Sequence, residues 1–229
     1  MQTQAQAPQA ILFDLDGTLV DTAPDLAEAT NALRIHHGLS PLPFEVIRRQ
    51  VSNGGSALVT LALGLEASTE GHIQAREFLL DAYEQAVAVN SRVFVPLDQW
   101  LKEWHGDQRL WGIVTNKPRR YTLPLLEALS LQPGALLCAD DLSVKKPAPE
   151  PLWEAARRLG VAPEQCWYIG DHVRDIQAAV AAGMTAVAVG YGYISEEDNY
   201  QRWPADLWFE NCQELVDALY IFNHTKQGI

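Results

Sequence analysis

The sequence predicts an α/β fold: a doubly wound parallel sheet with a small all-helical insertion after the first strand. Short, continuous apolar runs recur at Ala10–Phe13, Leu110–Val114, 135–139, 166–169 and Thr185–Val189. Runs of that kind are expected of strands buried on both faces of a parallel sheet. Helical patterns such as Leu123, Leu126 and Leu129, or Leu152, Ala155 and Leu159, separate the later runs. Alternating strands and helices imply right-handed crossovers and ligands at the carboxyl ends of the strands. Between residues 21 and 91 the alternation breaks, and only helical signals remain.

In chain order, the first run delivers Asp14 and Asp16 into a Gly17-Thr18 turn. Thr22 with Pro24 can then start a helix carrying Leu26, Ala29 and Leu33, and further helices fit 43–51, 55–63 and 69–89. Residues 21–91 therefore read as the helical insertion, and residues 1–20 with 92–229 as the core. Trp100 and Trp104 lie on one helix face and read as core packing. Residues 222–229 read as a frayed tail.

Two carboxylates two residues apart at the end of a strand suggest phosphoryl transfer through an aspartate nucleophile. An aspartate is ionised at pH 7 without an activating base. Its charge is also the obstacle, because an anion approaching a dianionic phosphoryl group needs a divalent metal and a placed basic side chain. Three later segments supply candidates. Leu110–Val114 runs into Thr115-Asn116-Lys117-Pro118, leaving a hydroxyl and freed backbone N–H groups for phosphate oxygens. Val144-Lys145-Lys146-Pro147-Ala148-Pro149 uses prolines to fix a loop holding Lys146 as a point charge. Cys166-Trp167-Tyr168-Ile169 runs into Gly170-Asp171-His172-Val173-Arg174-Asp175, where Asp171 is the candidate metal ligand.

Taken singly, each segment has a plainer reading. An Asp-x-Asp pair also occurs in metal-binding loops of nucleotide-sugar enzymes and in surface turns. An EF-hand is excluded, since its glycine belongs at loop position six and a glutamate at twelve. Thr115 alone is an ordinary strand end, Lys146 alone a solvated lysine, and Gly170-Asp171 alone a turn. Their joint occurrence in this order is what carries the argument.

In that order the four segments resemble the haloacid dehalogenase-like hydrolase superfamily, in particular its phosphoglycolate-phosphatase-like branch, over nearly the whole chain. The resemblance implies a Rossmann-like core with a helical cap, Asp14 as nucleophile and Asp16 as general acid and base. It places the motif threonine on Thr115 and the lysine on Lys146, which directly precedes Pro-x-Pro. The metal acids fall on Asp171 and Asp175, with Mg2+ held by Asp14, the Asp16 backbone carbonyl and Asp171. Asp175 is expected to orient Lys146 or a metal-bound water. In the cap, Arg48-Arg49-Gln50-Val51-Ser52-Asn53-Gly54-Gly55-Ser56 resembles the loop that selects substrate. There Arg48 or Arg49 is expected to meet a substrate carboxylate, with Asn53 and Gly54 beside it and Asn116 opposite.

Dehalogenases and phosphonatases of the superfamily do not carry the second aspartate, so Asp16 sets those readings aside. Phosphosugar mutases retain it, and a non-catalytic module on the same fold is the reading from another class. The branch implies 2-phosphoglycolate as substrate. The alternative is N-acetylmuramic acid 6-phosphate, since 111–118, Tyr191-Gly192-Tyr193-Ile194, Asp198-Asn199 and Trp203-Pro204-Ala205-Asp206 also look like phosphatases of that sugar acid.

Composition agrees. The chain has 229 residues, 48% of them hydrophobic, enough for one full core and a small accessory domain. Its formal charge of −12 argues against nucleic acid or an anionic membrane as partner and leaves a small phosphorylated metabolite. Cys138, Cys166 and Cys212 are widely spaced and read as reduced core residues, which suggests a cytoplasmic protein. The glutamine-rich opening lacks the basic and apolar regions of a signal peptide, and the apolar stretch around 57–65 is too short to span a bilayer. His36, His37, His72, His105 and His224 show no metal-like grouping and read as surface or boundary residues, while His172 is a bystander at the pocket rim.

Overall fold

The computed structural model describes residues 7–195 and 198–224, with the side chains of 223 and 224 left aside. The glutamine-rich opening (1–6) and residues 225–229 of the expected tail therefore lie outside the described residues. The strands are β1 (Ala10–Phe13), β2 (Val20–Asp21), β3 (Arg92–Val93), β4 (Leu110–Val114), β5 (Ala135–Leu137), β6 (Cys166–Gly170), β7 (Thr185–Val189) and β8 (Leu207–Phe209). The helices are α1 (Ala23–His36), α2 (Phe44–Arg48), α3 (Gly54–Leu63), α4 (Glu70–Gln85), α5 (Leu97–Gly106), α6 (Arg119–Ala128), α7 (Glu150–Leu159), α8 (Val173–Ala182) and α9 (Cys212–His224).

Among the described residues, six strands form a parallel sheet in the order β5-β4-β1-β6-β7-β8. Successive side chains of a strand point to opposite faces. Ile11 and Phe13 accordingly meet Trp100, Trp104, Leu125 and Leu215 from α5, α6 and α9 on one face. Ala10 and Leu12 meet Leu152, Ala155, Ile176 and Ala179 from α7 and α8 on the other. Trp100 and Trp104 stack with ring centroids 4.8 Å apart and are both buried, as their spacing predicts. Burial on both faces explains why β1, β4 and β7 are legible as unbroken apolar runs.

Helices α1–α4 form the cap layer, whose core contains Leu33, Ile47, Leu58, Leu79 and Tyr83 together with Tyr121 and Tyr193 of the sheet layer. A two-stranded antiparallel ribbon, with Val20 opposite Val93 and Asp21 opposite Arg92, flanks the α1–α4 segment. The insertion read from sequence as purely helical is thus bracketed by strand pairing too short to leave a period. The 55–63 helix forms as expected, from Gly54 to Leu63, but two others are shorter. The 43–51 segment divides into α2 and a 3₁₀ turn at Val51–Asn53. The 69–89 segment ends at Gln85, and Ala88 takes a left-handed conformation with φ 63°. At its start Thr69 accepts from the His72 N–H, an N-cap bond.

Three expectations are corrected. The 222–229 stretch is not all tail, because α9 continues to His224 and the Phe222 ring packs on Trp167 with centroids 4.8 Å apart. His72 is buried rather than superficial, and its Nε2 lies 3.2 Å from the Ser56 hydroxyl. The 135–139 run stops pairing at Leu137, because the Cys138 N–H turns to the Asp141 carboxylate at 2.8 Å. Among the described residues all three cysteines are free and buried, and no helix is long and apolar enough to cross a membrane.

Candidate active site

The carboxyl ends of β1, β4 and β6 and the loop after β5 meet beneath the cap and bring the expected residues together. Asp14 leaves β1 with its carboxylate 2.8 Å from Lys146 Nζ. The same ammonium lies 2.7 Å from Asp175 Oδ1 and donates to the Tyr168 hydroxyl at 2.7 Å, which in turn donates to the Val114 carbonyl at 2.7 Å. Lys146 is 2% exposed, so its charge needs these partners. Burial works to lower its pKa, but Asp14 and Asp175 together outweigh it and the ammonium persists. Asn116 holds the lysine's loop from both sides: its amide donates to the Lys146 carbonyl at 2.9 Å and its carbonyl accepts from the Lys146 N–H at 3.1 Å.

Asp14, Asp171 and Asp175 place one carboxylate oxygen each within 4.8 Å of one another, a hard-oxygen donor set suited to Mg2+. Burial is the main cause that pushes the carboxyl of Asp14 up to about 6 and that of Asp171 up to about 7, with repulsion from the Asp175 carboxylate adding to both. A dication between them would relieve both effects, which is the physical sense in which the residues fit the metal. Asp171 is held by the Tyr193 N–H at 2.8 Å, Thr18 Oγ1 at 3.2 Å and, from the cap, Ser52 Oγ at 3.2 Å. Two glycines make room for it. A Cβ on Gly17 would lie 2.3 Å from Asp171 Oδ2, and one on Gly192 would lie 2.2 Å from Asp171 Cβ. Gly192→Ala is therefore expected to displace Asp171, cost about 1–3 kcal/mol and lower Tm by about 2–4 °C per kcal/mol, measurable by calorimetry. An unchanged Tm would contradict this packing.

Asp16 accepts from Thr22 Oγ1 at 2.5 Å and from Lys117 Nζ at 2.9 Å. Lys117 received no role from the sequence, although it stands two residues after Thr115 at the same strand exit. Its side chain is largely buried, its ammonium lies 4.6 Å from the Tyr83 ring centroid, and burial, which lowers its pKa, is outweighed by Asp16. Thr115 is buried, but its N–H is taken by the Leu137 carbonyl at 2.9 Å, and the Lys117 N–H by Thr115 Oγ1 at 3.1 Å. Those two amides are thus not free for phosphate, and the Thr115 hydroxyl proton remains as a donor.

Asp175 accepts from the His172 N–H at 3.1 Å, while His172 Nδ1 accepts from the Arg174 N–H at 3.2 Å, a capping box for α8. His172 has its pKa lowered to about 4 by burial and by Arg174, so it is a neutral cap at pH 7.

The structure does not bring Arg48 to the cavity wall. Its guanidinium donates to the Gly192 carbonyl at 2.8 Å and the Tyr191 carbonyl at 3.0 Å and lies 4.9 Å over the Tyr193 ring. Tyr193 in turn straps cap to core. Its hydroxyl accepts from the Thr22 and Ala23 N–H groups at 2.6 and 2.9 Å and donates to Asp21 at 2.8 Å. This tyrosine caps α1, a role that Thr22 was expected to fill. Asn53 and Gly54 do line the cavity, as do Ser52, Gly55, Ser56 and Arg76 from the cap.

The cavity has a volume of about 490 Å³. Its charged lining is Arg76, Lys117, Lys145, Lys146 and Arg174 against Asp14 and Asp16, so a protein of formal charge −12 keeps a locally cationic chamber.

The family model for haloacid dehalogenase-like hydrolases matches residues 11–189. An N-acetylmuramic acid 6-phosphate phosphatase of Pseudomonas aeruginosa is 40% identical over 92% of this chain and 94% of its own length. A phosphoglycolate phosphatase of Xylella fastidiosa is 41% identical over 89% of each chain. The crystal structure of a predicted phosphoglycolate phosphatase from Haemophilus somnus superposes with a TM-score of 0.81 at 26% identity, over 94% of this chain and 98% of that one.

Proposed function

From the premise that the chain belongs to the haloacid dehalogenase-like hydrolases and is a phosphoric monoester hydrolase, we propose that it cleaves a small phosphorylated metabolite with Mg2+ through an aspartyl-phosphate on Asp14. The observation that carries the reading is Asp14 at the cavity wall, 2.8 Å from Lys146 and inside the Asp171–Asp175 acidic cluster. Asp14, Asp171 and the backbone carbonyl of Asp16 would hold the metal, which supplies charge neutralisation of the phosphoryl oxygens when bound.

The chain's own residues do the rest. An Asp14 carboxylate oxygen forms the bond to phosphorus as the ester P–O bond breaks, and Asp16 gives its proton to the leaving alkoxide. Lys146 and the Thr115 hydroxyl take up negative charge on the phosphoryl oxygens. Asp16 then removes a proton from the water that attacks phosphorus, releasing inorganic phosphate and restoring Asp14. Lys117 and Thr22 fix the direction of the Asp16 carboxylate throughout. Residues 21–91 act as the cap over a core of 1–20 and 92–229, and closure excludes bulk water. Substrate contacts come from Thr115, Asn116, Lys146, Asn53 and Gly54. Arg48 holds the cap to the 191–193 loop, and Asp175 orients Lys146. The acidic surface and free cysteines support a cytoplasmic enzyme without nucleic-acid or membrane partners.

A phosphoglycolate-like phosphomonoester is the first reading of the substrate, by the branch resembled. The volume of the cavity favours a second, an amino-sugar phosphate such as N-acetylmuramic acid 6-phosphate. A metabolite panel scored for inorganic phosphate tests the reaction class. Phosphate release that stops with EDTA is expected, whereas an isomerised sugar phosphate would indicate a mutase and no turnover of any member a scaffold.

The raised carboxyl groups make a further prediction. A group whose folded pKa exceeds its unfolded value stabilises the fold below the unfolded pKa and loses that contribution as pH rises through the folded one. Asp14 and Asp171 start from 3.8 and rise to about 6 and about 7, so the metal-free protein is expected to lose stability between about pH 4 and pH 7. Binding requires both carboxylates deprotonated, so the increase in Tm on adding Mg2+ is expected to be small at pH 5 and large at pH 7.5. Thermal scans with and without Mg2+ check this, and a metal effect independent of pH would contradict it.

A further inference from the structure

Three of the cavity's cations are already engaged: Lys146 with Asp14 and Asp175, Lys117 with Asp16, and Arg174 with the Ser52 carbonyl. Arg76 is not. It reaches the cavity from α4, is exposed, and has no ion pair or hydrogen bond among the described residues. A Cβ built on Gly55 would lie 3.9 Å from Arg76 Nε and 3.3 Å from Leu80 Cδ2, so the guanidinium stands beside the start of α3. Gly54, Gly55 and Ser56 open that ten-residue helix; the Gly54 N–H is taken by the Val51 carbonyl, but among the described residues the N-cap Asn53 makes no side-chain cap bond, so the Gly55 and Ser56 amides keep their donors for another acceptor. An independent sign of a missing ligand comes from Tyr83. It is 1% exposed and lines the same cavity, and among the described residues its hydroxyl makes no hydrogen bond, the Lys117 ammonium being the charged group beside it.

Arg76, Leu80 and Tyr83 are spaced i, i+4, i+7 and share one face of α4. The Tyr83 ring sits under Lys117, which holds Asp16, so Tyr83 marks the reacting end. Arg76 is seven residues away, about 10 Å along the helix axis, and both side chains lean toward the helix N-terminus, which preserves the separation.

Resting on the phosphatase reading, we infer that Arg76, Leu80 and Tyr83, with the Gly55 and Ser56 amides of α3, form a second-anion subsite that selects phosphomonoesters carrying a carboxylate roughly a sugar ring away from phosphorus. Arg76 and the amides take the carboxylate, the guanidinium as a fork and the helix start as a positive pole. Leu80 covers the apolar edge of the ring, and the Tyr83 hydroxyl pairs with a ring oxygen near the leaving group. Phosphoglycolate, with its carboxylate one carbon from the ester oxygen, is too short to engage both ends together.

The test compares kcat/KM for two matched pairs in wild type, Arg76→Gln and Arg76→Lys. One pair is N-acetylmuramic acid 6-phosphate and N-acetylglucosamine 6-phosphate, which differ by the lactyl carboxylate arm. The other is 2-phosphoglycolate and ethyl phosphate. A preference of wild type for the long carboxylate substrate is expected to fall by roughly tenfold or more in Arg76→Gln, through KM, and to recover in part in Arg76→Lys. The ratio for the short pair should stay as in wild type. An unchanged long-pair ratio in active Arg76→Gln enzyme overturns the inference, as does collapse of that ratio in Lys145→Gln alone, which would move the subsite to the opposite rim. Failure of wild type to release phosphate from all four compounds and from the wider panel defeats the phosphatase reading first, and the subsite with it.

Discussion

Asp14→Asn is expected to lower kcat by on the order of 10⁴-fold or more while leaving the fold intact, as loss of a covalent nucleophile does in hydrolases. The amide keeps the size of the carboxylate but has neither its charge nor its nucleophilicity at phosphorus. It also withdraws one oxygen ligand from the Asp14–Asp171–Asp175 cluster. The fold survives because Asp14 is desolvated at a cost and Lys146 keeps Asp175 as its counter-charge at 2.7 Å. Circular dichroism and Tm close to wild type, together with absent phosphate release, are the expected pair of results. Substantial remaining metal-dependent turnover would transfer the nucleophile to another group.

Lys146→Met should be lethal to activity and also costly to stability. Removing one partner of a buried charge arrangement leaves the others uncompensated, at about 3–5 kcal/mol. Here the abandoned groups are Asp14 and the fully buried Asp175, and the Tyr168 hydroxyl loses its ammonium donor as well. The destabilisation should shrink at low pH, where the carboxyls take up protons, and shrink again with Mg2+, which substitutes part of the missing charge. Urea titrations at pH 5 and pH 7.5, each with and without Mg2+, measure this. Equal destabilisation under all four conditions would show that lost packing, not charge, is the cause.

Much of this site is legible in the sequence, because the chemistry sits where the local signal is strongest. Asp14, Thr115 and Asp171 each follow an apolar strand directly, and strands buried on both faces leave unbroken runs whose ends are easy to place. Lys146 is marked by the prolines around it. What stays hidden depends on tertiary approach. The two-residue ribbon β2–β3 and the edge strand β8 are too short to show a period, and Trp208 on β8 is exposed. Nothing local reveals that Lys117 would reach Asp16, that Tyr168 would carry Lys146, or that the Tyr193 hydroxyl would cap a helix more than 160 residues earlier in the chain. The two basic residues at 48 and 49 stand out in the sequence as a pair near a glycine break. The structure spends Arg48 on the 191–193 loop and puts Arg76, from the middle of an ordinary amphipathic helix, on the cavity wall.

Direct observation of the phosphorylated side chain is the measurement that bears most closely on this account. Wild-type enzyme mixed with substrate and Mg2+, quenched in acid within a turnover and digested, is expected to show one added phosphoryl group on the peptide containing Asp14. The same peptide from Asp14→Asn should show none. A quenched enzyme that turns over yet carries no phosphoryl group there, or carries it elsewhere, would contradict nucleophilic attack by Asp14.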